Sequence, residues 1–158
     1  MGSISLADLE SAYRHEQRRY LRVAAAIVRD EGLAEEAVQE AFARAVRARS
    51  GFRGEGPLEA WLWRAVVNEA RRLAGRRREI VEEPAHLLDN GQPEPDVALR
   101  SLIAALPERQ RLVLFLRYYA DLDYRAIARV LDVEVGTVSA TLHAAHAALR
   151  TAMEGVRT

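Results

Sequence analysis

The apolar residues in the C-terminal third of the chain recur at a spacing that fits two short helices joined by a tight turn. Ile127, Ala128 and Leu131 share one face of the first helix, and Val138 and Leu142 share one face of the second. The small alanine side chain lets the two helices approach closely where they cross. The spacing therefore predicts a helix-turn-helix.

Two functions are compatible with this pattern. The second helix of a helix-turn-helix can present its N-terminal residues to the major groove of DNA. The same apolar spacing also describes an ordinary helical hairpin that binds no nucleic acid. Sequence features outside this segment are needed to distinguish DNA binding from a simple helical hairpin.

Elsewhere the apolar residues also follow the helical period, and no segment alternates as a strand does. Asn-Gly, proline and glycine positions separate the periodic segments. The sequence therefore predicts an all-α fold. The predicted helices cover about Ser5–Arg29, Leu33–Arg49, Pro57–Gly75, Asp96–Ala105, Pro107–Ala120, Tyr124–Leu131 and Val135–Met153.

Charge divides the chain into three parts. Residues 1–78 hold 15 Arg and 11 acidic residues, whereas residues 79–97 hold six acidic residues, three prolines and no Arg. The basic N-terminal part favours a surface for a polyanion, and the acidic part reads as an extended or disordered linker. We therefore predict one helical domain over 5–78, a linker over 79–97 and a second helical domain over 98–155.

Several classes of protein are excluded or disfavoured. The chain has no Cys, which excludes disulfides and thiolate zinc sites. His143 and His146 lie three residues apart without further ligands at suitable spacing, so no metal is predicted. No acid–base pair and no phosphate-cradling glycine loop is evident, so we expect neither an enzyme nor a cofactor. No apolar run approaches the ~18 residues of a membrane span and no signal peptide is visible, which predicts a cytoplasmic protein.

Longer motifs resemble the extracytoplasmic-function (ECF) sigma factors of the sigma-70 family over about residues 9–78 and 98–152. Residues 102–150 resemble region 4 of that family. Leu33–Arg49 resembles the segment of region 2 that docks on RNA polymerase, and residues 52–68 resemble its promoter-melting segment. The sequences that carry the resemblance are Leu106-Pro107-Glu108-Arg109-Gln110-Arg111, Leu116-Arg117-Tyr118-Tyr119, Tyr124-Arg125-Ala126-Ile127-Ala128, Val135-Gly136-Thr137-Val138, Glu35-Glu36-Ala37-Val38-Gln39-Glu40-Ala41-Phe42, Phe52-Arg53-Gly54-Glu55-Gly56-Pro57, Trp61-Leu62-Trp63-Arg64 and Asn68.

The resemblance implies a three-helix region 2 domain and a region 4 helix-turn-helix domain, joined by the acidic linker. It implies as partners the RNA polymerase core, promoter DNA and an anti-sigma factor, with no cofactor. Region 2 would bind the polymerase through Glu35, Glu36, Gln39, Glu40 and Phe42. It would capture and open the minus-ten element through Phe52, Arg53, Trp63, Arg64, Asn68, Arg71 and Arg72. Region 4 would bind the minus-thirty-five element through Arg125, Thr137, Ser139, Thr141 and His143.

General physical chemistry supports some of these roles and offers an alternative explanation for others. Opened DNA needs aromatic faces for its unstacked bases and a basic track for its backbone, which suits Phe52 and the neighbouring arginines. Trp61 is expected in the core, and Trp63 either faces DNA or packs on the first helix. The acids at the start of the second helix fit the helix dipole even without a polymerase.

The chain departs from the family pattern at its recognition helix. From Val135 to Leu149 there is no Lys or Arg, although family members usually place several there. Val67 and Arg72 also stand where an Arg and an Asp are common in region 2. Each missing phosphate contact weakens DNA binding and flattens its salt dependence.

Three hypotheses follow from the sequence. The chain is a sigma factor with a weak or unusual minus-thirty-five reader. Alternatively, it is a sigma-like interaction protein that binds polymerase or an anti-sigma factor without reading that DNA. The third hypothesis is a stand-alone helix-turn-helix regulator, in which residues 1–78 are dispensable for DNA binding.

Overall fold

The computed structural model describes residues 4–52, 54, 56–80 and 97–157, without the side chains of 77–80, 97, 98, 100, 156 and 157. Over these residues the chain forms seven α-helices and no strand, which confirms the predicted all-α class. The helices are α1 (Leu6–Val28), α2 (Glu31–Ala48), α3 (Leu58–Ile80), α4 (Val97–Ala104), α5 (Glu108–Tyr118), α6 (Tyr124–Leu131) and α7 (Val135–Arg157).

The contacts divide the chain into two compact units. The first contains α1, α2 and α3, and the second contains α4, α5, α7 and most of α6. Within the first unit each of the three helices packs on the other two. Within the second, α7 packs on both α4 and α5.

Side-chain caps fix where the first two helices begin. The Ser5 hydroxyl accepts from the Asp8 backbone N–H at 3.1 Å, and the Asp8 carboxylate accepts from the Ser5 N–H at 3.2 Å. This reciprocal capping box satisfies two donors that a helix start otherwise leaves unpaired. At α2, the Asp30 carboxylate accepts from the Leu33 N–H at 2.8 Å.

Several helix boundaries differ from the predicted ones, among them the end of α7, which lies at Arg157 and not at Met153. The cap at Asp30 starts α2 before Gly32, so this glycine lies in the first turn of the helix and not in a break. Gly75 does not end α3, which continues to Ile80. One glycine in a helix interior costs only about 1 kcal/mol. Burial of Leu73 and Ala74 beside it offsets a cost of that size.

The core of the first unit centres on aromatic rings from all three helices. Tyr20 of α1 lies 4.5 Å from Trp63 of α3 and 5.3 Å from Phe42 of α2, measured between ring centroids. Alanine, valine and leucine side chains fill the space around these rings. Those buried residues are Val23, Ala24, Val28, Ala34, Ala37, Val38, Ala41, Ala45, Leu62, Val66, Val67, Ala70, Leu73 and Ala74.

The second unit has a separate core. It consists of apolar side chains from α5, α6 and α7, together with Leu106, Ala120 and Leu122 from the connections. The buried helical members are Leu112, Val113, Leu114, Phe115, Leu116, Ile127, Ala128, Val138, Leu142 and Ala145.

The predicted acidic linker overlaps both flanking helices at its ends. Glu79 and Ile80 belong to α3, and Val97 begins α4. Residues 81–96, including Asp96 at the predicted start of the fourth helix, lie outside the described residues. Among the described residues, no helix combines the length and the apolar character that crossing a membrane requires.

Candidate functional surfaces

One face of α3 carries exposed polar and basic side chains at helical spacing. Arg64, Asn68, Arg71 and Arg72 are all exposed, and they follow one another at intervals of four, three and one residues. Side chains three or four positions apart lie on the same side of a helix. The structure therefore gathers four of the predicted DNA-binding residues on one accessible, basic surface, which we call the α3 face.

An aromatic pair stands next to this face. Phe52 lies 5.3 Å from Trp61 between ring centroids, and both side chains are partly exposed. Trp61 precedes Arg64 by three residues, so the pair extends the α3 face towards the start of the helix. The core position predicted for Trp61 is thus only partly realised. Arg53 lies outside the described residues.

Trp63 does not belong to the α3 face. Its side chain is 0 % exposed and its ring packs on Tyr20 of α1. Of the two positions open from the sequence, a DNA-facing ring and a packing partner for the first helix, the structure shows the second. The physical reason is that α3 packs on α1 and α2 together, so it buries a wider arc than one apolar stripe.

The loop before α3 depends on glycine. Gly54 and Gly56 have φ angles of 74° and 100°, in the region that side chains with a Cβ atom rarely adopt. These conformations bring the chain from the end of α2 to the start of α3 within a few residues. The loop thereby sets Phe52 beside Trp61.

The acidic residues of α2 point outward, as the polymerase-docking hypothesis requires. Glu35, Glu36 and Gln39 are exposed and Glu40 is partly exposed. The Glu40 carboxylate accepts from Arg44 Nε and from Arg47 Nη2, each at 3.2 Å. The hydrogen bond from Arg44 is the largest cause that lowers the pKa of Glu40 below its usual value. Glu40 therefore stays ionised at neutral pH.

Phe42 occupies a different position from these acids. Its ring lies 5.0 Å from Tyr13 and 5.3 Å from Tyr20, in edge-to-face arrangements with α1. The side chain is partly exposed. Phe42 therefore joins α2 to α1, and only its outer part is available to a partner.

A buried carboxylate connects the α2 and α3 surfaces. Glu69 of α3 is 3 % exposed. Its Oε1 atom accepts from Arg72 Nε at 2.8 Å and also from Arg72 Nη2, and its Oε2 atom lies 3.7 Å from Arg44 Nε. A buried charge is stable only when it is paired in this way. Glu69 is not among the residues predicted from the sequence, although an acid within the apolar period of Val66, Ala70 and Leu73 was the available signal.

The second unit contains the predicted turn between α6 and α7. The Asp123 carboxylate caps α6 by accepting from the Ala126 N–H at 2.8 Å. Asp132 ends α6 with a left-handed φ of 56°, and the Val133 N–H donates to the Ala128 carbonyl at 3.0 Å. Ile127 and Val138 are fully buried on either side of this turn. These features are those of a helix-turn-helix.

The predicted DNA-reading residues of this unit differ in their freedom to bind a base. Arg125, Thr137, Ser139 and His143 are exposed, and Thr141 is partly exposed. The Thr141 hydroxyl donates to the Thr137 carbonyl at 2.6 Å, so its oxygen can only accept a further hydrogen bond. The first turns of α7 therefore present neutral hydroxyls and an imidazole, and Arg125 on α6 is an exposed basic group.

Comparison with known proteins matches both units to one family. The family model "Sigma-70 region 2" matches residues 12–80, and "Sigma-70, region 4" matches residues 96–149. The ECF RNA polymerase sigma-E factor of Escherichia coli K12 is 33 % identical over 71 % of this chain and 69 % of its own. The RNA polymerase sigma-H factor of Pseudomonas aeruginosa is 29 % identical over 87 % of this chain and 82 % of its own.

Two solved structures share the fold. The sigma factor RpoE of Bartonella quintana, solved in complex with the anti-sigma factor NepR, superimposes with a TM-score of 0.77 at 18 % identity and covers 94 % of this chain and 98 % of its own. CnrH, solved in complex with the cytosolic domain of CnrY, has a TM-score of 0.74 at 20 % identity, with coverages of 96 % and 90 %.

The fold and these matches define a sigma factor built from region 2 and region 4. The chain belongs to the ECF sigma factors of the sigma-70 family. Sigma factors are transcription initiation factors and have no enzymatic activity, which confirms the prediction that this chain is not an enzyme.

Proposed function

We propose that the chain directs RNA polymerase to promoters through three surfaces. In this proposal a domain over 5–78 binds polymerase and the minus-ten element. A domain over 98–155 binds the minus-thirty-five element, and residues 79–97 connect the two. Because initiation takes place where bacterial RNA polymerase is, the proposed location is the cytoplasm.

The observation that carries the proposal is the α3 face. Three arginines and one asparagine are exposed along it, and Phe52 and Trp61 flank its N-terminal end. Cationic groups suit the phosphates of a separated strand, and aromatic rings suit unstacked bases, at about 1–3 kcal/mol per stacked base. Asn68 adds an amide that can both donate and accept hydrogen bonds to a base edge.

The acidic surface of α2 is proposed as the polymerase-binding surface. Glu35, Glu36, Gln39 and Glu40 lie on α2, and the α3 face lies on another helix. A charged, exposed surface of this kind favours a partner of complementary charge. The two surfaces adjoin at Glu69, whose Oε2 atom lies 3.7 Å from Arg44 Nε of α2.

We propose that an anti-sigma factor binds this chain and regulates it. Two structures with this fold were solved with partners, RpoE with the anti-sigma factor NepR and CnrH with the cytosolic domain of CnrY. The support is the shared fold. We propose a partner of that class for this chain, without proposing its identity.

The second candidate function concerns region 4 alone. From position 135 to 149, α7 carries no Lys or Arg, which favours weak reading of the minus-thirty-five element. In this second candidate function the chain still binds polymerase and opens the promoter, but contacts with the minus-thirty-five element contribute little to initiation. Deleting the minus-thirty-five element from a promoter would then change initiation only slightly.

The central test uses polymerase core reconstituted with this protein, on a promoter identified by sequencing the transcripts that the complex makes. We expect Arg64→Ala with Asn68→Ala to reduce open-complex formation at least about tenfold, because the charged phosphate contact of Arg64, worth about 1.5–3 kcal/mol, and the base hydrogen bond of Asn68, worth about 1 kcal/mol, are lost. Permanganate reactivity of unpaired thymines measures the opening.

Two comparisons make the result specific. Arg14→Ala, an exposed α1 arginine paired with Glu10 at 2.7 Å, should leave opening unchanged. Glu36→Arg should weaken binding to the polymerase core, whereas the α3 variant should bind core normally. Normal opening by the α3 variant would show that the α3 face does not contact the melted strand.

A further inference from the structure

Glu69 is the charged side chain that the structure buries among its described residues. A carboxylate in such surroundings is costly unless hydrogen bonds and opposite charges compensate it. Its two oxygens are divided between two helices. Oε1 holds Arg72 of α3, and Oε2 faces Arg44 of α2, whose Nε also lies 3.2 Å from Glu40. The carboxylate is therefore fixed from two sides.

This arrangement fixes the guanidinium of Arg72. Nε and Nη2 of Arg72 both donate to Glu69 Oε1. A guanidinium has five N–H donors in a planar fork, so the Nη1 donors and one Nη2 donor remain for another acceptor. The Arg72 side chain is 41 % exposed, so it is open to a further partner. The hydrogen bond to Glu69 is also the largest cause that raises the pKa of Arg72.

Arg72 belongs to the α3 face together with Arg64, Asn68 and Arg71. A side chain that is already ordered loses less conformational entropy when it binds a ligand than a freely rotating one. Phosphate oxygens are the acceptors that a guanidinium fork recognises best. An arginine that a buried carboxylate holds in one orientation is thus preorganised to bind a phosphate at one position along the helix.

We propose that Glu69 is a positioning residue for DNA binding: it orients Arg72 so that the unused N–H donors bind a backbone phosphate of the melted minus-ten strand. The inference rests on the proposed function of the α3 face. Beyond that function, the inference states that an acidic residue, Glu69, strengthens the binding of a polyanion, the DNA strand.

The sign of this effect distinguishes positioning from simple electrostatics. Glu69→Gln makes the domain more positive by one charge, and charge alone predicts tighter binding to DNA. Positioning predicts weaker binding, because the neutral amide holds the guanidinium less firmly than the carboxylate does. The two explanations therefore predict opposite changes in affinity from the same substitution.

The experiment measures the affinity of reconstituted holoenzyme for a fluorescent single-stranded minus-ten oligonucleotide at several salt concentrations. We expect Glu69→Gln to weaken binding roughly two- to tenfold, the range of one net hydrogen bond. Arg72→Lys, which keeps the charge and loses the fork, should weaken it similarly. The double variant should be no weaker than either single variant, because both remove the same contact.

Glu10→Gln is the matched control. Glu10 pairs with Arg14 at 2.7 Å on α1, outside the α3 face, so this variant makes the same change in net charge without altering Arg72. It should bind the oligonucleotide as tightly as the original chain or slightly more tightly. Binding to polymerase core and the thermal unfolding midpoint, measured for every variant, report whether the fold is intact.

The outcomes are distinct. If Glu69→Gln binds as tightly as Glu10→Gln, or if Arg72→Lys binds normally, Glu69 has no positioning role. If Glu69→Gln does not fold, Arg72→Lys decides alone: weaker binding supports the inference and unchanged binding overturns it. If Arg64→Ala with Asn68→Ala also leaves binding unchanged, the proposed α3 face itself is wrong.

Discussion

At the scale of single residues, the first unit buries a phenol beside an indole. Tyr20 is 1 % exposed and its ring lies 4.5 Å from Trp63. Burial raises the pKa of the Tyr20 phenol well above its ordinary value, and the charges of Glu16 and Glu59 raise it further. The folded protein therefore keeps this phenol neutral at a pH where the unfolded chain ionises it.

This shift predicts a loss of stability at alkaline pH. Above about pH 10 the unfolded chain releases the Tyr20 proton while the folded chain retains it. Ionisation therefore stabilises the unfolded state relative to the folded state. The stability of the first unit should fall by up to ~1.4 kcal/mol per pH unit in that range. Urea unfolding followed by circular dichroism between pH 8 and pH 11.5 measures this slope.

Tyr20→Phe should flatten the alkaline decline, since phenylalanine has no proton to lose. Tyr118→Phe replaces an exposed tyrosine of the second unit and controls for the loss of a phenol as such. Parallel declines for Tyr20→Phe and the original chain above pH 10 would contradict the assignment.

At the scale of elements, α3 and α7 differ in how they can bind DNA. The α3 face presents three arginines, whereas α7 presents hydroxyls and imidazole over its first four turns. Backbone phosphates are bound by cations, and base edges are read by neutral donors and acceptors as well. We therefore expect region 4 to draw its salt-dependent affinity from α6, where Arg125 is exposed.

Arg125→Ala should reduce the slope of log affinity against log salt concentration by about one unit, because one phosphate contact is lost. Thr137→Ala should lower the affinity without changing that slope. Holoenzyme titrated with duplex DNA that contains the upstream half of the promoter provides the measurement. An unchanged slope for Arg125→Ala would remove Arg125 from the proposed interface.

At the scale of the whole molecule, the chain has two cores. Trp63 and Tyr20 lie at the centre of the first, and Leu116 and Ile127 lie fully buried in the second. A unit with its own hydrophobic core can lose stability without the other. A core substitution should therefore affect one unit selectively.

Leu116→Ala should destabilise the second unit by about 2–5 kcal/mol, the usual cost of removing a buried leucine side chain. Amide hydrogen exchange on the full chain should then show lost protection in α5 and α7 and unchanged protection in α1 to α3. Met153→Ala, at a residue 42 % exposed, should cost under about 0.5 kcal/mol. Loss of protection throughout the chain would show that the two units unfold together.

The sequence alone determined the helices and the helix-turn-helix, because apolar period and capping residues act over only a few positions. Ile127, Ala128 and Val138 are buried as their spacing predicted. The exposed stripe of Arg64, Asn68 and Arg72 also follows from spacing along one helix. The motifs shared with ECF sigma factors supplied the family.

Only the tertiary structure decided which further side chains of α3 are buried. Spacing along one helix defines a single stripe, but α3 packs on both α1 and α2 and so buries a wider arc. That wider arc takes in Trp63, which the stripe alone left undecided, and Glu69, whose carboxylate is paired by Arg72 and by Arg44 from a different helix. Contacts between helices distant in sequence are set by packing, which local periodicity does not encode.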